Sequence, residues 1–402
     1  MRYSTILSLL PLAFAAPSRR ASPAPLHVPR DTGSSSSSSS NLIEGKYIVK
    51  MYDNAAAESL RRIHTTVAAE QPEHVYDVPG FKGFASALTA EEVEALQNHP
   101  DVEFIEQDSI MSINSLVTQS SPPWGLARIS HHDSGSSDYV YDSSAGSGTC
   151  AYIVDTGIYT DHPEFEGRAT WLANYAGGAD SDGNGHGTHV AGTIGSATYG
   201  VAKKTTLLAV KVLDSSGSGT TSGVVAGMNF VVSDSATRGG SDECANGYVA
   251  NMSLGGGSSS AINSAARAIV AAGVFLAVAA GNSNADAANT SPAGEGQVCT
   301  VGASTDADAR ATFSNYGAVV DVFAPGQDVL STWNDGGVNT ISGTSMASPH
   351  IAGLGAYLLA LDGFKDPQTL CAYIGSTGTR DVLSNIPSGT INSLAFNGNP
   401  SG

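Results

Sequence analysis

Three short glycine-rich stretches, far apart in the chain, each carry a side chain that could take part in covalent catalysis. They are Asp155-Thr156-Gly157, His186-Gly187-Thr188-His189 and Gly343-Thr344-Ser345-Met346-Ala347-Ser348-Pro349. A serine hydroxyl is a weak nucleophile at neutral pH, so it needs an imidazole to accept its proton and a carboxylate to orient that imidazole. Asp155, His186 and Ser345 supply these three groups, and acyl transfer is therefore the chemistry that the sequence favours.

The residues around these side chains predict the elements that position them. An apolar, β-rich run at 151–154 would place Asp155 at the carboxyl end of a buried strand. His186 opens a segment of small residues, which predicts a closely packed helix. Apolar residues recur at helical spacing after Ser345, and Pro349 is compatible only with the first turn of a helix. Ser345 is therefore expected at a helix N-terminus.

Each of these side chains, taken alone, has a more common explanation. An aspartate after a strand often forms a turn, and a serine at a helix start is usually an N-cap. The pair His186 and His189 could bind a metal, although we interpret His189 as a packing residue. A lipase-type α/β-hydrolase is disfavoured, because its elbow reads Gly-x-Ser-x-Gly where this chain has Ala347, and because its triad order begins with serine. The joint occurrence of the three motifs favours catalysis.

In the order Asp, His, Ser, the three motifs resemble those of the subtilisin-like serine proteases, and in particular the proteinase K-like branch. Further matching segments are 124–130, 251–256, 279–282 and 313–317. The resemblance covers roughly Trp124 to the C-terminus, with a weaker one upstream. It implies an α/β, subtilisin-like three-layer fold with a mainly parallel central sheet. Apolar strands that alternate with helices at 222–232 and 261–271 favour the same class.

The resemblance also implies the groups that would bind a substrate. Asn282 would donate a hydrogen bond to the reaction oxyanion together with the backbone N–H of Ser345. Two segments would pair with an extended peptide through their main chain, which implies broad specificity. Small or apolar residues would line the first pocket, so a hydrophobic or aromatic side chain is expected before the scissile bond. The predicted substrate-binding residues are Gly217, Ser218, Gly219, Ser253, Leu254, Gly255, Ala279 and Gly281.

The four cysteines all fall in the second part of the chain, and the residues alone allow three pairings. The resemblance implies that Cys150 pairs with Cys244 and that Cys299 pairs with Cys371. Disulfides of this kind persist in an oxidising, extracellular setting.

The resemblance further implies a structural calcium ion, bound by the carboxylate of Asp321 and the carbonyls of Gly296 and Val298. A second calcium site stays open, because His132 stands where a threonine ligand is expected. Two sequences match the N-glycosylation motif. Asn251 lies in a predicted substrate-binding segment and is expected to be unmodified, whereas Asn289 lies in a polar loop and is the predicted site.

The chain begins with the features of a secreted precursor. Residues 1–16 combine Arg2, an apolar core and the small-residue site Ala13-Phe14-Ala15, which predicts a signal peptide. Residues 17–45 are rich in proline and serine and predict a disordered linker. No later segment reaches about 18 uninterrupted apolar residues, so no membrane partner is expected. The expected location is secreted and extracellular.

Residues 46–114 predict a small α+β, ferredoxin-like domain. The pattern indicates a strand at 47–49, a helix at 55–66, strands around Val75 and Phe84, a helix with a capping box from Thr89 to Glu92, and a strand at 102–105. This arrangement resembles the inhibitory prodomain of subtilases, and an independent accessory domain is the alternative. The domain would be a transient inhibitor of the protease domain at 115–402, removed by a cut between about Met111 and Ser121.

The net charge of −18 argues against nucleic acid or anionic membranes as partners. Polypeptide substrates are expected, and the family implies a monomer. The sequence thus predicts a secreted serine endopeptidase of broad specificity, with a preference for hydrophobic or aromatic residues before the scissile bond, made as a self-processing zymogen that acts through an acyl-enzyme. A catalytically inactive or permanently inhibited subtilase that acts as a binding module is the alternative.

Overall fold

The computed structural model describes residues 22–28, 42–55, 63, 72–109, 116–238, 242–363 and 366–402. The chain divides into two compact units, Met1–Ile113 and Asn114–Gly402. The predicted signal peptide lies outside the described residues, as do the serine run at 34–40, most of the predicted helix at 55–66 and the first half of the predicted junction.

The N-terminal unit contains a five-stranded sheet and a helix. Its strands are β1 (Leu26–His27), β2 (Leu42–Met51), β3 (His74–Val78), β4 (Phe81–Ala87) and β5 (Val102–Ser109), in the spatial order β1-β5-β2-β4-β3. The four longer strands pair antiparallel. Helix α1 (Ala90–Gln97) begins with the predicted capping box, in which Thr89 and Glu92 each bond the other's backbone N–H. The α+β fold predicted for this part is confirmed.

The predicted disordered linker at 17–45 contains ordered residues, so that expectation is wrong for part of its length. β1 pairs parallel to β5, with Leu26 opposite Ile105. Ala24 is buried, and its N–H donates to the carbonyl of Gln97 at 2.7 Å. An edge strand offers unpaired backbone groups, which a short segment can satisfy without a hydrophobic core of its own. Composition alone does not reveal this pairing.

The C-terminal unit is built around a nine-stranded sheet in the order β19-β20-β16-β15-β13-β11-β8-β10-β9. Neighbouring strands run parallel, except that β19 pairs antiparallel with β20. The strands are β8 (Thr149–Asp155), β9 (Ala169–Asn174), β10 (Thr206–Lys211), β11 (Gly247–Met252), β13 (Phe275–Ala279), β15 (Cys299–Ser304), β16 (Val322–Pro325), β19 (Thr379–Arg380) and β20 (Ser393–Leu394). The mainly parallel sheet predicted from the sequence is confirmed.

Helices cover both faces of this sheet. Alternate residues of β8 show the two cores: Ala151 and Ile153 pack into one apolar cluster, whereas Tyr152 and Val154 pack into the other. The first cluster receives α2 (Trp124–Ile129), α3 (His186–Gly195), α6 (Thr344–Asp362) and α7 (Pro367–Thr377). The second receives α4 (Thr221–Arg238) and α5 (Ser260–Ala271). Because β8 is buried on both faces, the unit has the three layers that the sequence predicts.

Short elements and two disulfides complete the unit. Three two-stranded antiparallel sheets are formed by β6 (Leu116–Ser120) with β7 (Asp138–Asp142), β12 (Gly256–Gly257) with β14 (Thr290–Ser291), and β17 (Val329–Thr332) with β18 (Val338–Ile341). Short 3₁₀ helices cover Pro163–Phe165, Asp242–Cys244 and Ala287–Asn289. The disulfides join Cys150 to Cys244 and Cys299 to Cys371, the two pairs that the resemblance implies. Among the described residues, no helix combines the length and apolar character needed to cross a membrane.

Candidate active site

Asp155 is the last residue of β8, near the middle of the parallel sheet, where the carboxyl ends of β8, β10 and β11 meet. Its side chain is fully buried, and its Oδ1 lies 2.7 Å from His186 Nδ1. The backbone N–H of Thr156 donates to the same oxygen at 2.7 Å. A buried carboxylate that is hydrogen-bonded on this side holds the imidazole in one orientation and fixes the proton on Nδ1.

His186 is the first residue of α3, as the sequence predicts. Gly185 precedes it with φ +102°, and a Cβ there would lie 2.5 Å from the Trp333 ring, so only glycine fits. The imidazole remains 24% exposed. Burial lowers its pKa, but the charge and hydrogen bond of Asp155, with the charge of Asp182, outweigh that effect and raise the pKa of His186 above its usual value.

Ser345 is the second residue of α6, so the predicted helix N-terminus is confirmed. The first-turn position expected for Pro349 is wrong, since this residue lies inside the helix, in its second turn. Proline has no N–H for the carbonyl four residues earlier, which is that of Ser345. Ser253 Oγ donates to that carbonyl instead, at 2.7 Å. The helix tolerates the proline because a neighbouring side chain replaces the missing donor.

Ser253 and Ser345 exchange a second hydrogen bond. Ser345 Oγ donates to the carbonyl of Ser253 at 3.2 Å, and among the described contacts it makes none to His186. Buried polar side chains support this pair: Asn251 Nδ2 donates to Ser253 Oγ at 2.8 Å, and Ser348 Oγ donates to Asn251 Oδ1 at 2.6 Å. Sequence reasoning missed these three side-chain roles. The sequence signal that could have indicated them is Pro349, because a proline inside a helix leaves the carbonyl four residues earlier, that of Ser345, without a helical donor.

Asn282 follows β13 and lies beside the start of α6. Its Oδ1 accepts hydrogen bonds from the backbone N–H of Thr344 at 2.8 Å and from Thr344 Oγ1 at 2.9 Å. Because a backbone N–H can only donate, the atom that accepts from Thr344 is identified as Oδ1. The other amide atom, Nδ2, is therefore available as a hydrogen-bond donor to a group bound in the cavity that Asn282 lines with Ser345. Gly281 has φ +106°, and a Cβ there would lie 2.4 Å from Asn315 Nδ2.

Two adjoining cavities are lined by the predicted substrate-binding residues and by His186, Asn282 and Ser345. A cavity of about 530 Å³ is lined by His186 and by the segments 217–219 and 253–255, among others. A cavity of about 320 Å³ is lined by Leu254, Gly255, Ala279, Gly281, Asn282 and Ser345, among others, and no charged side chain lines it. Residues 254–257 form a wall common to both. The segments 217–219 and 253–255 are irregular chain rather than strands in this structure.

The predicted calcium ligands lie near the starts of two neighbouring parallel strands. Val298 directly precedes β15, and Asp321 directly precedes β16. Asp321 Oδ2 accepts the N–H of Thr300 at 2.8 Å, but burial outweighs this bond and raises the pKa of Asp321 to about 6. Asp321 forms no ion pair with a basic side chain in the described part of the chain, and a desolvated carboxylate of this kind fits a site for a hard cation. Cys299 and Cys371 also lie beside Asp321, but their sulfurs form a disulfide and are not metal ligands.

The two glycosylation motifs differ in exposure. The side chain of Asn251 is fully buried and hydrogen-bonded to Ser253 and Ser348. Asn289 is exposed at the end of the 3₁₀ helix Ala287–Asn289. Only the second is accessible to a modifying enzyme in the folded protein, so modification at Asn289 stays a prediction that its exposure supports.

The chain is similar to known proteins over both of its units. The model described as Peptidase S8, subtilase family, matches residues 146–389, and the model described as Peptidase inhibitor I9 matches residues 46–114. The subtilisin-like serine protease AsES of Sarocladium strictum is 58% identical over 406 residues, with 100% of both chains covered. The cuticle-degrading protease of Metarhizium anisopliae is 56% identical over 405 residues, with 99% of this chain and 100% of the relative covered.

Among solved structures, the crystal structure of a cold adapted subtilisin-like serine proteinase matches with a TM-score of 0.65 and 44% identity. It covers 69% of this chain and 99% of that one. These matches agree with the parallel sheet, the covering helices and the N-terminal α+β unit. The chain therefore belongs to the subtilase family, as a subtilisin-like serine protease with a peptidase inhibitor I9 segment in front of its protease domain.

Proposed function

We propose that this protease is a secreted endopeptidase that uses Asp155, His186 and Ser345 as a catalytic triad and forms an acyl-enzyme. The observation that carries the proposal is the 2.7 Å contact between Asp155 and His186 at the head of the parallel sheet. Ser345 and Asn282 line a cavity that shares a wall with the cavity of His186. A buried acid, a partly exposed imidazole and a serine hydroxyl on one cleft suit acyl transfer.

In the proposed reaction, His186 Nε2 accepts the proton of Ser345 Oγ while this oxygen attacks the substrate carbonyl. Asp155 keeps the imidazole oriented and stabilises its charged form. The oxyanion would accept hydrogen bonds from Asn282 Nδ2 and from the N–H of Ser345, which is in the first turn of α6. His186 then gives its proton to the leaving amine, and water repeats the sequence to release the acyl group.

The hydroxyl of Ser345 turns from Ser253 towards His186 in this mechanism. Catalytic hydrogen bonds are often long or differently directed before substrate binds, so the observed bond to Ser253 is compatible with the proposal.

The cleft supports broad specificity. The segments 217–219 and 253–255 lie outside the strands and line the larger cavity, so part of their backbone would bind an extended peptide between them. The N–H of Gly217 and the carbonyl of Ser218 already bond the backbone of Asp214. The smaller cavity has small and apolar walls, including Ala279, Gly281 and Leu254, and therefore suits a hydrophobic or aromatic side chain before the scissile bond. In this arrangement the main chain binds any extended peptide, and the smaller cavity alone selects a side chain.

The precursor features complete the proposal. The inhibitor I9 segment at 46–114 would block the protease until self-processing removes it. The predicted signal peptide supports secretion, and the disulfides suit an oxidising compartment. Calcium would be held by Asp321 with the carbonyls of Gly296 and Val298, and its chemistry would be structural, since it neutralises a desolvated carboxylate. We expect the mature enzyme to be a monomer.

Labelling with a serine-directed fluorophosphonate tests the proposal. The secreted wild-type protein is expected to be labelled and to lose its N-terminal segment, whereas Ser345→Ala is expected to remain unlabelled and full length apart from its signal peptide. If the wild-type protein takes up no label, the active-protease proposal fails, and a binding module built on an inactive subtilase becomes the better explanation.

A further inference from the structure

The loop that precedes α3 contains a buried carboxylate for which the proposed mechanism has no role. Asp182 is 6% exposed and accepts five hydrogen bonds. Its Oδ1 accepts from Thr156 Oγ1 at 2.8 Å and from the N–H groups of Asn184 and Gly185 at 3.1 and 2.9 Å. Its Oδ2 accepts from the N–H of Thr188 at 2.9 Å and from Thr188 Oγ1 at 2.6 Å.

These donors come from both sides of the contact between Asp155 and His186. Thr156 directly follows Asp155, and its Oγ1 also accepts the N–H of Gly187, directly after His186, at 2.9 Å. Gly185 precedes His186, and Thr188 follows in the first turn of α3. Asp182 and Thr156 together thus join the end of β8 to the start of α3 by hydrogen bonds on each side of the catalytic pair.

Asp182 also completes the start of the helix. Gly185 is the N-cap residue and has no side chain to cap α3. Asp182 caps the helix instead, because its carboxylate accepts a hydrogen bond from the N–H of Thr188, the third residue of α3. A negative charge at this end of α3 is favoured by the helix dipole.

We infer that Asp182 is a positioning residue for the catalytic base: its buried carboxylate ties the loop after Asp155 to the first turn of α3 and so holds His186 against Asp155. This inference rests on the proposed triad. An asparagine cannot replace the carboxylate, because its amide nitrogen would face donors. Thr188 Oγ1 accepts from the N–H of Tyr159 at 2.9 Å, so its own hydrogen is directed to Asp182.

The charge of Asp182 affects the pKa of His186, and the pH dependence of kcat/KM therefore reports on Asp182 in a way that packing alone would not change. The titratable and charged groups around His186 are Asp155 from β8, Asp182 from the loop, His189 one turn along α3, and Lys211 from β10, which interacts with both carboxylates. Asp182 contributes to the raised pKa of His186. Its neutralisation therefore lowers that pKa, and the acid limb of kcat/KM moves to lower pH.

The test compares D182N with D180N in the full secreted precursor. Asp180 is an exposed aspartate in the same loop that accepts a hydrogen bond from Asn174, so D180N makes the same chemical change without the buried contacts. Rates are expressed per active site, counted by fluorophosphonate titration. D182N is expected to lower kcat about 10- to 100-fold with little change in KM, and to shift the acid limb to lower pH. D180N is expected to do neither.

A D182N enzyme whose kcat and acid limb match those of D180N would overturn the inference while leaving the proposed triad intact, because the wild-type protein would still be labelled at Ser345. A lower kcat with an unmoved acid limb would also overturn it, since that indicates a general structural role.

If D182N yields no mature protein, a comparison of Thr156→Val with Thr156→Ser tests the same inference. T156V removes the hydroxyl between Asp182 and Gly187, and we expect its kcat to fall well below that of T156S. Equal values would refute the positioning role.

Discussion

At the scale of single residues, the site combines one fully buried charge with two more accessible groups. Asp155 has no exposure, whereas His186 is partly exposed and Ser345 lines a cavity. Burial alone would lower the pKa of the imidazole, and the two neighbouring carboxylates, Asp155 and Asp182, more than offset that effect. The base is thereby able to accept a proton and to hold it during the reaction, which is what the proposed mechanism requires.

Asp155→Asn tests this balance. The substitution removes the charge that raises the pKa of His186, so this pKa falls and the acid limb of the kcat/KM profile moves to lower pH. It also allows the imidazole to carry its proton on Nε2, where it cannot accept the proton of Ser345, and kcat is expected to fall about 10⁴-fold. The measurement is a pH–rate profile with a small peptide substrate. An unchanged kcat would show that Asp155 does not orient the base.

At the scale of elements, the start of α6 depends on the segment after β11. Pro349 deprives the carbonyl of Ser345 of its helical partner, and Ser253 supplies a donor from outside the helix. The same segment, 253–255, forms a wall of the cleft. One stretch of chain therefore both fixes the backbone of the proposed nucleophile and bounds the proposed substrate site.

Ser253→Ala is expected to reduce the free energy of unfolding by about 1–3 kcal/mol, because the carbonyl of Ser345 and the amide of Asn251 lose a partner. Pro349→Ala returns an N–H to the helix, so S253A is expected to cost less in a P349A background. Denaturant unfolding of the four proteins of this cycle, each carrying S345A to prevent self-digestion, measures the coupling. Equal costs of S253A in both backgrounds would contradict the interpretation.

The pairing of β6 with β7 bears on where the precursor is cut. Each residue of Leu116–Ser120 pairs with a residue of Asp138–Asp142, and the N–H of Ser121 donates to Ser137. A protease binds its substrate as a free extended segment, so a bond within a paired strand is a poor target. We therefore predict that the mature chain begins at or before Leu116. N-terminal sequencing of the secreted protein measures this, and a start between 117 and 121 would be inconsistent with the paired strand.

At the scale of the whole protease unit, each of the two cores on opposite faces of the sheet contains one disulfide. Cys150 at β8 is joined to Cys244, and Cys299 at β15 is joined to α7. The links span 94 and 72 residues of sequence. In the chain-entropy model, loops of this length give about 4–5 kcal/mol each. Calcium at Asp321 would add a third restraint close to the second disulfide.

Removal of calcium is expected to lower the melting temperature of the mature protein. The bound ion would stabilise the folded state by about 3 kcal/mol at one hundred times its dissociation constant. The measurement is thermal unfolding of inhibited enzyme in excess chelator and after calcium is restored. Asp321→Asn should lose this response, whereas Asp335→Asn, at an exposed turn carboxylate, should keep it. An identical melting temperature with and without chelator would exclude a structural calcium ion.

Much of the fold was predictable from the sequence, because it depends on local patterns. The apolar run before Asp155, the small residues after His186 and the capping box at Thr89 each produce the expected strand or helix. The ordered part of the linker was not predictable, since Leu26 finds its partner in β5, about eighty positions away. The position of Pro349 in the second turn of α6 was not predictable either, because the helix tolerates it only with a hydrogen bond from Ser253, a side chain outside the helix.

The sequence by itself determined the basis of the proposed chemistry: the residue types Asp155, His186, Ser345 and Asn282, their order, and the elements on which the first three lie. It could do so because hydrophobic periodicity and glycine positions act over a few neighbouring residues. Only the tertiary structure decided the partners of these groups. The contacts of Asp182 with Thr156 and of Ser253 with Ser345 join segments 26 and 92 positions apart, which no local pattern encodes. The distances between side chains at the site depend on how the strands and helices of the whole unit pack together. That packing involves residues far apart in the chain, so only the folded structure shows it.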